Sequence, residues 1–170
     1  MKTEALKSLQ TPLKEQYREQ PETAYITLKA QGTVGEDVTC KVQTGKALVE
    51  AGLHPATGGN GLSVCSGDML LEALVACAGV TLSAVATSIG VELRNAVVRA
   101  EGDLDFRGTL GVSKETPVGF QQIRLYFDLD TDAPEDQQAT LIRLTERYCV
   151  VYQTLRQSPQ IQVSRTALTS

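Results

Sequence analysis

Five side chains hold most of the chemistry open to this 170-residue chain: the cysteines Cys40, Cys65, Cys77 and Cys149, and the single histidine, His54. A thiolate can act as nucleophile, metal ligand or redox group. Zinc asks for three or four N/S ligands at short local spacing. The chain has no Cys-x-x-Cys pair and no second histidine, so neither a metal site nor a cofactor is expected. His54 precedes a proline at the start of a glycine-rich loop and reads as an ordinary loop residue rather than a general base. The thiols are then either small buried hydrophobes or redox-active groups.

Composition narrows the setting. The chain is 42% hydrophobic and 21% charged, with net charge −4 and a pI near 5.1. Neither a nucleic-acid groove nor an anionic membrane surface is expected of that balance, since both need clustered Lys and Arg. The N-terminal MKTEALKSLQTPLKEQ has no apolar run and carries acidic residues, unlike a signal or transit peptide. The expectation is a soluble cytoplasmic protein whose cysteines are not paired in a structural framework.

The elements that must position the thiols can be read from periodicity. Ser66 to Gly90 is apolar nearly all round, with Cys77 at its middle. Ser66 reads as its N-cap, Asp68 as a first-turn charge suited to the dipole, and Gly90 as its C-cap. Such a helix should be enclosed on most sides. It is long enough to cross a membrane, but Glu72 within it, acidic flanks and the absence of a Lys/Arg cluster argue for a buried central helix. A second helix starts near Asp132-Ala-Pro134 and reaches Cys149, and residues 150–157 continue it directly or after a kink.

Strands fill the rest. Residues 23–34 and 38–43 alternate as a hairpin, with Cys40 as a core filler on the apolar face. Residues 47–54 give a third strand, and 55–61 a glycine-rich loop that lacks any phosphate-binding pattern. Residues 93–107 form a long strand with a possible break at Glu101-Gly102. Residues 121–130 alternate cleanly, with Ile123, Leu125, Phe127 and Leu129 inward, and Ile161 and Val163 begin a last strand. Residues 1–22 read as an N-terminal helical extension interrupted by Pro12, and 23–170 as one α+β domain.

Cys77 and Cys149, 72 residues apart, share a setting, each on an apolar helix. They can bridge only if those helices pack with Cα atoms within about 7 Å. The run Ser66-Gly-Asp-Met-Leu-Leu-Glu-Ala-Leu-Val-Ala-Cys77, followed by Glu146-Arg-Tyr-Cys149-Val-Val151, resembles the osmotically inducible protein C family, which includes the organic hydroperoxide resistance proteins. The likeness covers roughly residues 23–168. It implies an OsmC-like fold, in which antiparallel sheets wrap two long central helices in an intertwined homodimer with active sites at the subunit interface. It also implies thiol-dependent reduction of organic hydroperoxides, as part of a stress response. On this resemblance Cys77 is the peroxidatic thiol, Cys149 resolves its sulfenic acid as a disulfide, and an external dithiol reopens the bridge.

The resemblance also sets a problem of ionisation. Burial raises a thiol's pKa, and the N-terminus of the cysteine helix is about 16 Å from Cys77. In the family an arginine held by a glutamate supplies the stabilising charge. The glutamate's position, ten before the cysteine, is Gly67 here, with Asp68 next to it as a possible substitute. Arg18, Arg94, Arg107 and Arg147 compete for the other role. Cys65 reads as a cap-adjacent loop residue or an auxiliary redox thiol, and Glu72 as a surface charge. The alternative function is a non-catalytic member of the fold that binds a small apolar or electrophilic ligand in the dimer cleft.

Overall fold

The computed structural model describes residues 2–20, 31–34, 39–43, 48–111 and 113–166. Its organising element is the helix α2, Ser66–Ile89, which ends where Gly90 turns left-handed at φ 74° and its N–H bonds the Ala86 carbonyl. The expected stop is therefore observed. The start lies one residue off: Cys65, extended at φ −74° and ψ 132°, is the N-cap, and Ser66 is the first helical residue. The reason is that Val64–Cys65 forms a short strand, β4, beside Gly52 and Ala51, which holds Cys65 out of the helix.

Two sheets accompany α2. In the first, β1 (Gln31–Val34), β2 (Thr39–Gln43) and β3 (Leu48–Gly52) are antiparallel neighbours, and β4 joins β3 in parallel. The predicted turns at 35–37 and 44–45, most of the first predicted strand (23–30), and the Cys40 side chain lie outside what is described. In the second sheet, β5 (Asn95–Leu104) pairs antiparallel with β6 (Phe120–Asp130). Ala96, Val98 and Ala100 face the core opposite Leu129, Phe127 and Leu125. The alternating register places Arg99 and Asp128, and Arg124 with Glu101 and Asp103, on the outer face as ion pairs.

The predicted break at Glu101-Gly102 is not there. The strand runs through Gly102, and the irregularity falls at Asp103/Leu104. Gly102 instead makes room: a Cβ there would sit 2.4 Å from the Phe120 ring. Beyond β5 the chain turns through a short helix, α3 (Phe106–Thr109), capped by the Asp105 carboxylate on the Arg107 N–H.

The core lies where α2 meets β5, β6 and α4 (Glu135–Tyr148). Leu82, Val85, Ala86, Val91 and Leu141 form its buried centre, with Val98, Phe127, Leu129 and Ile142 packed on it. Each fully buried Leu contributes about 1.5–3 kcal/mol. Only one face of α2 is covered in this way. Leu70, Val80 and Ile89 remain 37%, 73% and 41% exposed, because the single chain lays its second sheet and α4 on one side. The expectation of a helix enclosed on most sides is not met by one chain alone.

At the N-terminus, α1 (Thr3–Glu19) continues through Pro12, and Thr3 Oγ1 donates to the Thr87 carbonyl of α2 at 3.0 Å. At the other end, α5 (Val150–Arg156) follows α4 after a break at Cys149. Residues 158–166 form no ladder, and Ile161 and Val163 are almost fully exposed. The strand expected there has the alternation but, among the described residues, no ladder partner.

Candidate active site

Cys149 stands at the break between two helices. It is C-cap to α4 and N-cap to α5, with extended backbone at φ −72° and ψ 111°. Its N–H still bonds the Thr145 carbonyl at 2.9 Å, and its carbonyl accepts the first bond of α5, from Gln153 N–H at 3.0 Å. Three of the five residues from Cys149 to Gln153 are Val150, Val151 and Tyr152, and β-branched and aromatic side chains lower helix propensity. This sequence signal favours the kink over the continuous helix.

Because α2 packs against both α4 and α5, the break delivers Cys149 to Cys77. The thiols meet without a disulfide, both reduced, with Cys77 half-buried and Cys149 1% exposed. Their environments separate them. Burial pushes the Cys77 thiol up, but the neighbouring Val151 N–H, Cys149 thiol, Val150 N–H and Thr81 hydroxyl favour its charged form, and together they leave it below the ordinary thiol value. Burial also pushes Cys149 up. The Tyr152 N–H opposes this only partly, and the neighbouring Cys77 adds to it, so Cys149 stays above the ordinary value. The two thiols are thereby driven apart: Cys77 gives up its proton more readily than an ordinary thiol, and Cys149 less readily.

The groups that lower Cys77 carry no signal of their own in the sequence. The N-terminus of its own helix is far away, but the first turn of α5 points free backbone N–H groups at it, and such donors favour a thiolate. No arginine is among the groups that shift Cys77 most. Arg94 holds Asp130 and Asp132, Arg107 holds Asp105, and Arg147 lies over the Tyr148 ring at 5.5 Å. The Arg18 side chain lies outside the described residues.

The structure does not bring Asp68 or Cys65 to the thiol pair. Asp68 is nine residues before Cys77 on α2, about 14 Å along the axis. Both line a separate cavity of about 360 Å³ with His54, Phe106 and Phe120. There His54 Nδ1 accepts the Ala56 N–H at 3.0 Å, and its ring stacks on Phe106 at 5.0 Å, consistent with a loop-fixing role. A Cβ at Gly67 would lie 3.6 Å from both the Phe120 ring and the Cys65 sulfur and 3.7 Å from Leu104. A carboxylate at this position would therefore leave the backbone into a mainly apolar wall.

A larger cavity, about 440 Å³, lies between β6 and α5. Leu74, one turn before Cys77, and Tyr152, one turn after Cys149, both line it, along with Ile123, Leu125, Phe127 and Leu155. Glu146 and Arg156 add charge to its wall. Among the described residues no group of three or more His, Cys, Asp or Glu side chains is placed to hold a metal ion.

Known proteins share this arrangement of helices and sheets. An OsmC-like protein from Mycoplasma pneumoniae matches with TM-score 0.66 at 16% identity, over 78% of this chain and 89% of that one. The organic hydroperoxide resistance protein OsmC from Legionella pneumophila matches at TM-score 0.61 and 17% identity, over 78% and 90% of the two chains. OhrB, the organic hydroperoxide resistance protein of Bacillus subtilis, matches at TM-score 0.52 and 18% identity, over 78% and 93%. At such identities the likeness is one of fold. No curated protein sequence matches the chain. The sequence model of the OsmC-like protein family matches residues 58–164, a span that begins in the loop before α2 and runs past α5. The chain belongs to the OsmC-like protein family.

Proposed function

We propose that the protein is a cysteine-based peroxidase that reduces organic hydroperoxides. The observation that carries this reading is the meeting of Cys77, lowered in pKa, with Cys149, raised in pKa, on facing helices. The Cys77 thiolate attacks the terminal peroxide oxygen, the O–O bond breaks, and the alkoxide leaves as alcohol after taking a proton. Cys77 is then a sulfenic acid. Cys149 condenses with it, forming the S–S bond and releasing water. An external dithiol reduces the bridge by exchange and returns both thiols. Asp68 and Cys65 would act, if at all, only as auxiliaries from the second cavity.

The surroundings support an apolar substrate. Cys77 lies among Ala-rich turns of α2, and the neighbouring cavity sets aliphatic and aromatic side chains beside Glu146 and Arg156, with room for an alkyl or aryl group. The apolar outer face of α2 and the unpaired alternating tail at 161–163 support a homodimer in which a second copy covers both. Among the described residues Cys65, Cys77 and Cys149 are free thiols, which fits a reducing cytoplasm.

The test is consumption of cumene hydroperoxide with a dithiol reductant. Wild type is expected to turn over. Cys77→Ser is expected to lose essentially all activity, and Cys149→Ser to stall after a single oxidation. Turnover that survives Cys77→Ser would overturn the reading. No turnover in wild type, with a small apolar ligand bound instead, would favour the binding protein.

A further inference from the structure

The donors aimed at Cys77 are available because α4 and α5 are not one helix. In a continuous helix the Val150 N–H would bond the Glu146 carbonyl, four residues back. Here the Val150 N–H makes no such bond and lies beside the Cys77 sulfur, and that carbonyl would be left without its helical partner. It is taken by a side chain: Gln153 Nε2 donates to the Glu146 carbonyl at 2.8 Å. The same residue's N–H opens α5 by bonding the Cys149 carbonyl at 3.0 Å, and its own carbonyl accepts from Gln157 N–H at 3.0 Å. Gln153 is half-buried and reaches back across seven residues, spanning the cysteine between them.

We infer that Gln153 is a positioning residue for the thiol pair: its amide replaces Val150 at the Glu146 carbonyl, holds the α4–α5 break open, and keeps the Val150 and Val151 N–H groups on Cys77. This deepens the peroxidase reading and rests on it. Without the clasp, the Glu146 carbonyl is free to recapture the Val150 N–H, and the break can close toward continuous helix. Cys77 then loses a donor that favours its charged form, and its thiolate fraction falls. Cys149 is the one titratable group among the interactions that shift Cys77 most.

The test is the pH profile of Cys77 alkylation by iodoacetamide on the full-length reduced protein, resolved by peptide mass spectrometry. Gln153→Met keeps the side-chain length and removes the donor. Gln157→Met makes the same change one turn on, where no side-chain bond spans the break. The expected result is a Gln153→Met midpoint moved to higher pH, with the rate at pH 7 lowered by about threefold to tenfold, the loss expected of one hydrogen bond. Gln157→Met is expected to follow wild type. Coincident profiles for Gln153→Met and a low-midpoint wild type would overturn the proposal alone. So would an equal shift in Gln157→Met, which would indicate general loosening of α5. A wild-type Cys77 that titrates like a free thiol would overturn the peroxidase reading and the proposal with it.

Discussion

Burial alone would push both thiols of the pair up, and at Cys149 it does. At Cys77 four neighbouring groups outweigh it, so the two thiols differ through hydrogen bonding rather than through exposure. The sign of the pH dependence follows. A thiol whose pKa is lowered is already ionised below the ordinary free-thiol value of about 8.5, so the alkylation rate of wild-type Cys77 is expected to level off at a pH below that of a free thiol. Cys149→Ala removes one donor to the thiolate. It should move the midpoint up, and Thr81→Val should do the same to a smaller degree; alkylation kinetics check both. At this scale the sequence was partly legible. The identity of the pair followed from a family resemblance, whereas its ionisation did not. The sequence offers arginines as the cation, but in the structure Arg94 and Arg107 pair with carboxylates and Arg147 lies over Tyr148. The donors are backbone groups, and backbone has no letter in a sequence.

At the scale of elements, periodic segments were readable and short ones were not. The clean alternation of residues 121–130 and the Gly90 stop of α2 appear in place. The two-residue β4 and the four-residue α3 escaped, because neither is long enough to show a period. The break at Cys149 was left open because Val150 to Arg156 is helical on both readings. Only the acceptor of the Val150 N–H separates them. The packing of α4 on α2 makes a direct prediction. Leu141 is 0% exposed in the central cluster, and Leu141→Ala should cost about 2–5 kcal/mol in denaturant unfolding of the reduced protein. Gly90→Ala should cost about 1–2 kcal/mol by the same measurement, since any Cβ is strained at its left-handed φ.

For the whole molecule, the asymmetry of α2 matters most. One face carries the core, and the other shows Val80 at 73% exposure in the middle of a helix whose most apolar 18-residue stretch has mean hydropathy 2.0. That face was read as enclosed because hydropathy reports how apolar a helix is, not which chain covers it. If a second copy covers it, light scattering should give twice the 18.3 kDa chain mass, and Val80→Asp should lower that toward a single chain. A wild-type protein of single-chain mass would leave the outer face of α2 without the proposed partner. The central claim is nevertheless chemical, and it lies between two sulfurs. Reduced protein treated with one molar equivalent of cumene hydroperoxide, then alkylated and mapped by peptide mass spectrometry, tests it most directly. The account predicts a Cys77–Cys149 disulfide that a dithiol reverses, and in Cys149→Ser a sulfenic acid on Cys77. Both thiols still free and alkylatable after the peroxide is added would contradict it.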